Sequence, residues 1–299
     1  MSIEVRRFHR GDREQVAALV NAHVGAAVPG LSVSVNAVLS RLEREPDEFI
    51  VDPWVSERAT LVAEQRGRVV AAAHLLRYGA EEHVGASYRD SGEVHWFLFW
   101  PEAPYWPDSA EAGEALLAAC VAQLDRWGVA RQYADGSLPA PAVYGVPEQW
   151  PQVRAAYELA GFVHEGRTEV VYIAALDDLP GLADAHVDGV VLRRSVGVNG
   201  TRLSAVIGDE VAGFIEVEIL EDAHRLARHG GWADVGNLRA DDPEVARWLV
   251  AQAADWLRLA RVDRLLDYTE PGEEERAAFL ASVGFRELTR TARGWVRYP

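Results

Sequence analysis

Two side chains able to move protons stand two positions apart in an otherwise apolar segment. Glu93 and His95 open a strand pattern that runs to Trp100. A carboxylate can accept a proton, and an imidazole pKa of about 6.5 suits acid–base work near neutral pH. Because strand side chains alternate, we predict that both share one face with Phe97 and Phe99. The alternative is that the pair is an ordinary exposed strand start.

The elements around this strand suit a phosphorylated ligand. The pattern predicts a strand over Glu93–Trp100, a proline-rich loop, a helix over Glu111–Arg126 and a strand over Val129–Asp135. A helix amino terminus carries unpaired N–H groups and the positive end of the helix dipole. A loop that leads from a strand into a helix is therefore a favourable seat for a phosphate. Asp135, at the end of the second strand, is a further candidate base.

A closing helix follows these elements and ends in a glycine turn. Its last residues are Ala155-Ala156-Tyr157-Glu158-Leu159-Ala160-Gly161-Phe162. Together with the order of elements, this run resembles the GNAT superfamily of N-acetyltransferases. The resemblance implies direct transfer of an acetyl group from acetyl-CoA to a small amine. It also implies that Tyr157 is the general acid and that Glu93 or His95 lies where the family often places a base.

The same resemblance implies a surface for acetyl-CoA. Backbone groups of the fourth strand would hold the pantetheine arm and thioester, and the start of the next helix would hold the pyrophosphate. The implied residues are Phe97, Leu98, Phe99, Ser109, Ala110, Glu111, Ala112, Gly113 and Glu114. Only Gly113 keeps the glycine rhythm of the family, and the carboxylates of Asp108 and Glu111 would repel a pyrophosphate.

The pattern of elements restarts in the second half of the chain. Residues 177–188 are rich in Asp, Pro and Gly and predict a linker. Beyond them, strands and helices follow in similar order and end again in Gly-Phe, at Gly284-Phe285. The predicted fold class is α/β (α+β), with two tandem GNAT-like domains, each a mixed twisted sheet flanked by helices. The predicted limits are 1–176 for the N-terminal domain and 189–299 for a shortened C-terminal domain.

The second half keeps less of the family pattern. Leu280 stands where the first half has Tyr157, and leucine cannot donate a proton. Arg239–Ala246 has no glycine and three acids at the position of the cofactor loop. We therefore predict that the first half is the more catalytic and the second is degenerate. The alternative for the whole chain is a non-catalytic protein that binds an acyl-CoA or a protein partner.

Composition limits the partners. The chain has 299 residues, 49% of them hydrophobic, and a net charge of −16. This acidity argues against nucleic acid and mildly favours a cationic substrate, although solubility is the commoner reason for such a charge. No apolar run reaches the roughly 18 residues of a membrane helix, so we expect a soluble cytoplasmic protein without a membrane partner. The acceptor and the oligomeric state do not follow from the sequence.

Three further residue groups have simple explanations. Cys120 is the single cysteine, stands among apolar residues and predicts a small core side chain. The segment 81–83 places two glutamates beside a histidine but lacks a helical His pair, so no metal site is predicted. The last group is dense in aromatic residues and could hold an ammonium group, although core packing is the commoner explanation. Its members are Trp96, Phe97, Phe99, Trp100, Tyr105 and Trp106.

Overall fold

The structure is a computed structural model that describes residues 3–42, 53–100, 108–138, 140, 143–220 and 231–298. It contains two compact units. Unit 1 comprises Met1–Thr168 together with Thr291–Pro299, and unit 2 comprises Glu169–Arg290. The predicted loop residues Tyr105 and Trp106 lie outside the described residues.

Unit 1 is built on a mixed sheet with four described α-helices. Its elements are β1 (Glu4–Arg7), α1 (Arg13–Ala27), α2 (Val35–Leu42), β2 (Val55–Gln65), β3 (Arg68–Tyr78), β4 (Ser91–Phe99), α3 (Ser109–Trp127), β5 (Arg131–Ala134), β6 (Val146–Pro147) and α4 (Pro151–Leu159). Strands β1 to β4 pair antiparallel in chain order, and β4 pairs parallel with β5. Helix α3 is thus the crossover between two parallel strands.

Unit 2 repeats this arrangement, except that a short turn stands in place of the helices α1 and α2. Its elements are the later part of β7 (Val163–Ala175), β8 (Val190–Val196), β9 (Thr201–Ile207), β10 (Glu210–Ile219), β11 (Gly231–Ala240), α5 (Pro243–Leu259), β12 (Val262–Thr269) and α6 (Glu274–Ser282). The strand order is β8-β9-β10-β11-β12-β7, with β11 and β12 parallel. Asn199-Gly200 lies in the turn that joins β8 to β9.

The two closing helices end in the same way. In unit 1, Phe162 N–H donates to the Tyr157 carbonyl over 3.0 Å, and Gly161 has φ +85°. In unit 2, Phe285 N–H donates to the Leu280 carbonyl over 3.0 Å, and the glycine before it has φ +101°. This left-handed glycine turn satisfies the last helical carbonyls and suits glycine. The repeated Gly-Phe motif is therefore a helix stop.

The last strand of the chain completes unit 1. Strand β13 (Arg286–Arg297) pairs antiparallel with β5, with Trp295 opposite Ala134, and it also pairs with β6. Trp295 is fully buried. The predicted domain limits differ from this arrangement, because they assign the whole strand to the second half.

The predicted linker 177–188 also differs from the structure. It contains two short 3-10 helices, and Leu179 and Ala185 are buried in the hydrophobic core of unit 2. Its aspartates occupy exposed positions around these two buried residues. The segment is therefore part of the folded unit.

Helix α3 lies close against β4 because two glycines leave room. A Cβ on Gly92 would lie 2.7 Å from Cδ2 of Leu124, and one on Gly113 would lie 3.0 Å from Cγ of Phe99. Both separations are shorter than ordinary van der Waals contact. Cys120 is fully buried in the same helix, as predicted, and burial raises the pKa of its thiol.

Candidate active site

Strands β4 and β5 separate in the middle of the unit 1 sheet. Their parallel pairing ends at Val94 and Ala134. Two hydrogen bonds follow, from Asp135 N to Val94 O (2.9 Å) and from Ser137 N to His95 O (3.1 Å). The two strands have no further described pairing, although β4 continues to Phe99. An opening between parallel strands, beside a crossover helix, is a common place for a ligand.

A β-bulge at His95 changes the faces of β4. Trp96 lies opposite His74 and Val94 opposite Leu75, so His95 is the extra residue of the pair. The side-chain alternation therefore shifts by one residue. Glu93 shares a face with Trp96 and not with Phe97, and the predicted alternation along this strand is wrong beyond the bulge.

Glu93 is a buried carboxylate with two close partners. Its side chain accepts a hydrogen bond from the Tyr78 hydroxyl, and Oε2 lies 3.7 Å from Nδ1 of His95. Burial is the largest influence and would raise the pKa of Glu93, but His95 and the Tyr78 hydroxyl outweigh it and lower that pKa. Glu93 is therefore held as an anion beside an imidazole. The structure brings together Glu93 and His95, the two predicted proton-transfer residues.

Asp135 places a second carboxylate at the end of β5. Its Oδ1 accepts from Gly136 N over 2.8 Å, and its Oδ2 accepts from the Ser137 hydroxyl over 3.0 Å. Burial raises the pKa of Asp135, and the negative charge of Glu93 raises it further. The environments of Glu93 and Asp135 thus move the two pKa values in opposite directions. Two carboxyl groups whose pKa values are moved apart are a common feature of acid–base sites. We call Glu93 and Asp135 the divided carboxylate pair.

His74 is a site residue that the sequence analysis missed. It is 2% exposed, and its Nδ1 lies 2.9 Å from the hydroxyl oxygen of Thr60. Its ring stacks on Trp96 with centroids 6.0 Å apart and meets the His95 ring edge-on at 6.3 Å. Burial lowers its pKa well below the usual value, so the imidazole is neutral. The available signal was a lone polar residue in the apolar run of β3.

Tyr157 lies at the same opening, inside an aromatic cluster. Its side chain is fully buried, and its hydroxyl donates to the backbone carbonyl of Asp135 over 2.7 Å. Its ring centroid is 5.9 Å from that of Phe97 and 5.9 Å from that of Trp295. Burial raises its pKa well above the usual value. The hydroxyl is therefore protonated and stands where β5 leaves β4.

The residues implied for acetyl-CoA divide into buried and exposed groups. The side chains of Phe97, Leu98 and Phe99 are buried, so these residues would meet a ligand only through their backbone. In α3, Ala110, Glu111 and Glu114 are exposed, whereas Ser109, Ala112 and Gly113 are buried. As described above, Gly113 serves the packing of α3 on β4.

The amino terminus of α3 fits a phosphate in part. Asp108 does not cap the helix, because its carboxylate accepts from Nε2 of Gln65 over 2.9 Å. The N–H groups of the first turn precede the first intrahelical bond, from Ala112 N to Asp108 O. The Ser109 hydroxyl is buried with no hydrogen-bond partner. The exposed Glu111 places a negative charge at the same end.

Three members of the aromatic group along β4 serve core packing. Trp96, Phe97 and Phe99 are all buried, by 95% or more of their surface. The commoner explanation of this aromatic set therefore applies to those three residues.

Unit 2 differs from unit 1 at the start of its crossover helix and at the position of the closing-helix tyrosine. The amino terminus of α5 is capped by Asp242, whose carboxylate accepts from Glu244 N over 2.9 Å, and Pro243 begins the helix. A protein carboxylate thus occupies the place of a phosphate. Leu280 is buried at the position of Tyr157.

Two other kinds of site receive no support from the described part of the chain. Within it, no three His, Cys, Asp or Glu side chains are grouped to hold a metal ion. No helix there is long and apolar enough to cross a membrane.

Solved structures with this architecture include acetyltransferases. The chain matches over 99% of its length a tandem GNAT protein from the clavulanic acid biosynthesis pathway, covering 98% of that protein at 18% identity with a TM-score of 0.64. It matches a GCN5-related N-acetyltransferase from Sphaerobacter thermophilus over 99% of its length and 95% of that chain, at 14% identity and a TM-score of 0.58.

A third match is the GCN5-related glucosamine N-acetyltransferase region of a fungal multi-domain GH3 β-N-acetylglucosaminidase. It covers 98% of this chain at 13% identity with a TM-score of 0.65, and the chain spans 38% of that protein. No family model and no curated protein matches the sequence. At these identities the likeness establishes the fold alone: the protein has a tandem GNAT fold.

Proposed function

We propose that the protein is an acetyl-CoA-dependent N-acetyltransferase that acts on a small amine, and that its active site is the opening between β4 and β5 in unit 1. The observation that carries this proposal is the divided carboxylate pair at that opening. Glu93 is an anion beside His95, while the pKa of Asp135 is raised. A carboxylate next to an imidazole can take a proton from an ammonium group and pass it on to solvent.

In the proposed reaction Glu93 takes a proton from the ammonium group and passes it to solvent. The free amine nitrogen then attacks the thioester carbonyl carbon, and the proton that the nitrogen loses as the C–N bond forms passes to Glu93. The new C–N bond forms, the C–S bond breaks, and the departing sulfur takes the phenolic proton of Tyr157. To donate, Tyr157 must release the carbonyl of Asp135. The products are the amide and the CoA thiol. Glu93 then returns its proton through water to the Tyr157 phenolate, so that both residues regain their starting protonation states. Protonation matters because a free thiol has a pKa near 8.5.

Acetyl-CoA would bind with its pyrophosphate at the amino terminus of α3. The unpaired N–H groups of the first turn and the Ser109 hydroxyl would serve as donors. Asp108 is held by Gln65, so it does not occupy the helix end. Glu111 weakens the site electrostatically. In unit 2 the Asp242 carboxylate already caps the corresponding helix, so we expect acetyl-CoA to bind in unit 1 and not in unit 2.

The proposal is tested by calorimetric titration of acetyl-CoA followed by measurement of free CoA thiol in the presence of mixed small amines. We expect one equivalent to bind and thiol release to depend on an added amine. Absence of binding would refute the proposal. If an Asp242→Ala variant binds two equivalents of acetyl-CoA, the Asp242 cap alone prevents binding in unit 2.

A further inference from the structure

A cavity of about 460 Å³ lies between helix α3 and the edge of the unit 1 sheet that β1 forms. Its walls come from β1, from Leu61 of β2 and from the second half of α3, between Ala119 and Arg126. The volume falls in the usual range for small-molecule sites. No residue of the candidate active site lines it. We call it the α3 cavity.

The α3 cavity carries two exposed arginines, Arg7 of β1 and Arg126 in the last turn of α3. Arg126 donates to Oε1 of the buried Gln123 over 2.6 Å, and its guanidinium keeps further N–H donors for a ligand. No carboxylate of the described residues forms an ion pair with either arginine. Both guanidinium groups are therefore available to an anion from solution.

The acidic side chains of β1 and β2 point to the other face of the sheet. Arg7 lies opposite Leu61, and both line the cavity. Glu4 and Glu64 lie opposite each other, each an odd number of residues from the cavity residue on its own strand. Because side chains alternate along a strand, the two glutamates face away from α3.

Arg6 also lines the cavity, but its charge is already matched by acids. One of its guanidinium nitrogens lies 2.7 Å from Oδ2 of Asp12, and another lies 2.6 Å from Oε2 of Glu64. If these three side chains are counted with Arg7 and Arg126, three arginines stand against two carboxylates. The balance of charge stays positive.

The acids on the helix side of the sheet do not reverse this balance. Glu57 accepts a hydrogen bond from Arg77 over 2.5 Å, and Asp125 lies 3.5 Å from a guanidinium nitrogen of Arg297. Glu114 lies more than two helical turns before the last turn of α3. The charges around the α3 cavity therefore favour an anion.

The remaining walls are apolar and suit an organic group. They are formed by Val5, Leu61, Ala119 and Ala122. A guanidinium binds phosphate through two parallel N–H bonds. A phosphate monoester carries close to two negative charges at neutral pH, because its second pKa is about 6. It therefore matches two arginines, whereas a monocarboxylate matches one.

We infer that the α3 cavity binds a small organic phosphate monoester, with its phosphate on Arg7 and Arg126 and its apolar part against β1, β2 and α3. This inference goes beyond the proposed function, and no residue of the proposed reaction takes part in it.

The test compares three probes by calorimetry at neutral pH. Phenyl phosphate has the dianion and an apolar ring, benzoate has the ring with one charge, and inorganic phosphate has no ring. We expect phenyl phosphate to bind at one equivalent and at least about 5-fold more tightly than either of the others. Acetyl-CoA, which would occupy the start of α3, should change the Kd of phenyl phosphate by less than about 2-fold.

Loss of charge at the cavity should weaken this binding. Arg7→Gln and Arg126→Gln should each raise the Kd of phenyl phosphate by about 10-fold or more. Arg193→Gln removes an exposed arginine of unit 2 and should leave the Kd within about 2-fold of the parent. Circular dichroism checks the fold of each variant.

A second pair of variants adds a charge and removes no existing contact. Ala122→Glu places a carboxylate in the cavity wall and should raise the Kd by about 10-fold or more. Ala118→Glu adds the same charge at an exposed position of α3 outside the cavity, so it should change the Kd by less than about 2-fold at physiological salt.

Four results would overturn the inference: no binding of phenyl phosphate, equally tight binding of benzoate or inorganic phosphate, unchanged binding in both arginine variants, or displacement by acetyl-CoA. The last result would assign the phosphate to the start of α3. The proposed function fails separately, because it is tested by titration of acetyl-CoA and by thiol release without these probes.

Discussion

The hydroxyl of Tyr157 donates to the backbone carbonyl of Asp135 over 2.7 Å. This bond joins the closing helix α4 to the residue at which β5 turns away from β4. It places a protonated phenol at the opening where the thioester would lie, and it also ties two elements of unit 1 together. Catalytic and structural roles of the same hydroxyl therefore make different predictions.

Replacement of Tyr157 by Phe separates these roles. The variant keeps the ring in its aromatic cluster and removes only the hydroxyl. If that hydroxyl protonates the leaving thiolate, kcat should fall by about 10²-fold or more, while acetyl-CoA binds about as well as in the parent. Steady-state kinetics and calorimetry measure the two effects.

The matched control is Tyr172→Phe, which changes another buried tyrosine, in unit 2. It should leave kcat within about 2-fold of the parent, since surface and core changes away from the site act mainly on stability. An unchanged kcat in Tyr157→Phe would contradict the catalytic role. Loss of acetyl-CoA binding in that variant would show that the tie to Asp135 is structural.

Removal of the charge on Glu111 should strengthen acetyl-CoA binding. Glu111 is exposed in the first turn of α3, where a negative side chain opposes a bound phosphate. We expect Glu111→Gln to lower the Kd by about 2- to 5-fold at low ionic strength, with a smaller gain at high salt. Glu114→Gln, also exposed but outside the first turn, is the control and should change the Kd less. An equal gain in both variants would argue for a general charge effect.

Unit 1 should depend on the last strand of the chain. Trp295 is fully buried and packs against Tyr157. Trp295→Ala should lower the free energy of unfolding by about 3–5 kcal/mol, the usual cost of removing a buried Trp side chain. Denaturant unfolding measures this loss, with the exposed Tyr298→Ala as control. A loss below about 1 kcal/mol would show that the strand is dispensable.

The stability of unit 2 should fall as the pH rises from about 4 to 6. Burial, together with the charges of Glu218 and Asp267, raises the pKa of Asp234 to about 6. Burial also raises the pKa of Asp267 to about 6, against the opposing effect of Arg276. A folded state with raised carboxyl pKa values binds more protons than the unfolded chain in this window, so stability is lost as the pH rises.

The Asp234→Asn variant tests the predicted fall of stability with rising pH. The variant should have a shallower fall in its urea midpoint between pH 4 and pH 7 than the parent, because one of the two raised groups is gone. Asp263→Asn, an exposed acid on the same strand as Asp267, should keep the slope of the parent. A parent whose stability rises over this window would contradict the assignment.

The general architecture could be predicted from the sequence because it depends on local patterns. Strand alternation, helix periodicity and the glycine turn at Gly161 are set by residues close in the chain, and they indicated the tandem GNAT fold. The helix stop at Gly284 repeats the same hydrogen bond, so the internal repeat was also visible.

Features that depend on distant pairing were missed. The bulge at His95 arises from the register between β3 and β4, and no residue of β4 alone reveals it. The contribution of β13 to unit 1 depends on a pairing with β5, more than 150 residues earlier in the chain. The wrong face alternation of β4 and the different domain limits both follow from this.

The aromatic residues of β4 allowed two explanations from the sequence, an acceptor pocket and the commoner one of core packing. Trp96, Phe97 and Phe99 are buried, as core packing requires. The aromatic cluster of Trp54, Tyr78, Tyr88 and Tyr133 is assembled from residues on two strands and in two turns, which have no common motif. His74 was overlooked because a buried neutral histidine in an apolar strand gives no spacing signal.

The most direct test of the central claim compares the parent with Glu93→Gln in a single-turnover reaction with acetyl-CoA and a small amine. Mass spectrometry follows the acetylated amine, and calorimetry measures the Kd of acetyl-CoA. If Glu93 takes the proton of the acceptor, product formation should slow by about 10²-fold or more while that Kd stays within about 2-fold. Equal rates in the two proteins, or no acetylated amine from the parent despite bound acetyl-CoA, would contradict the account.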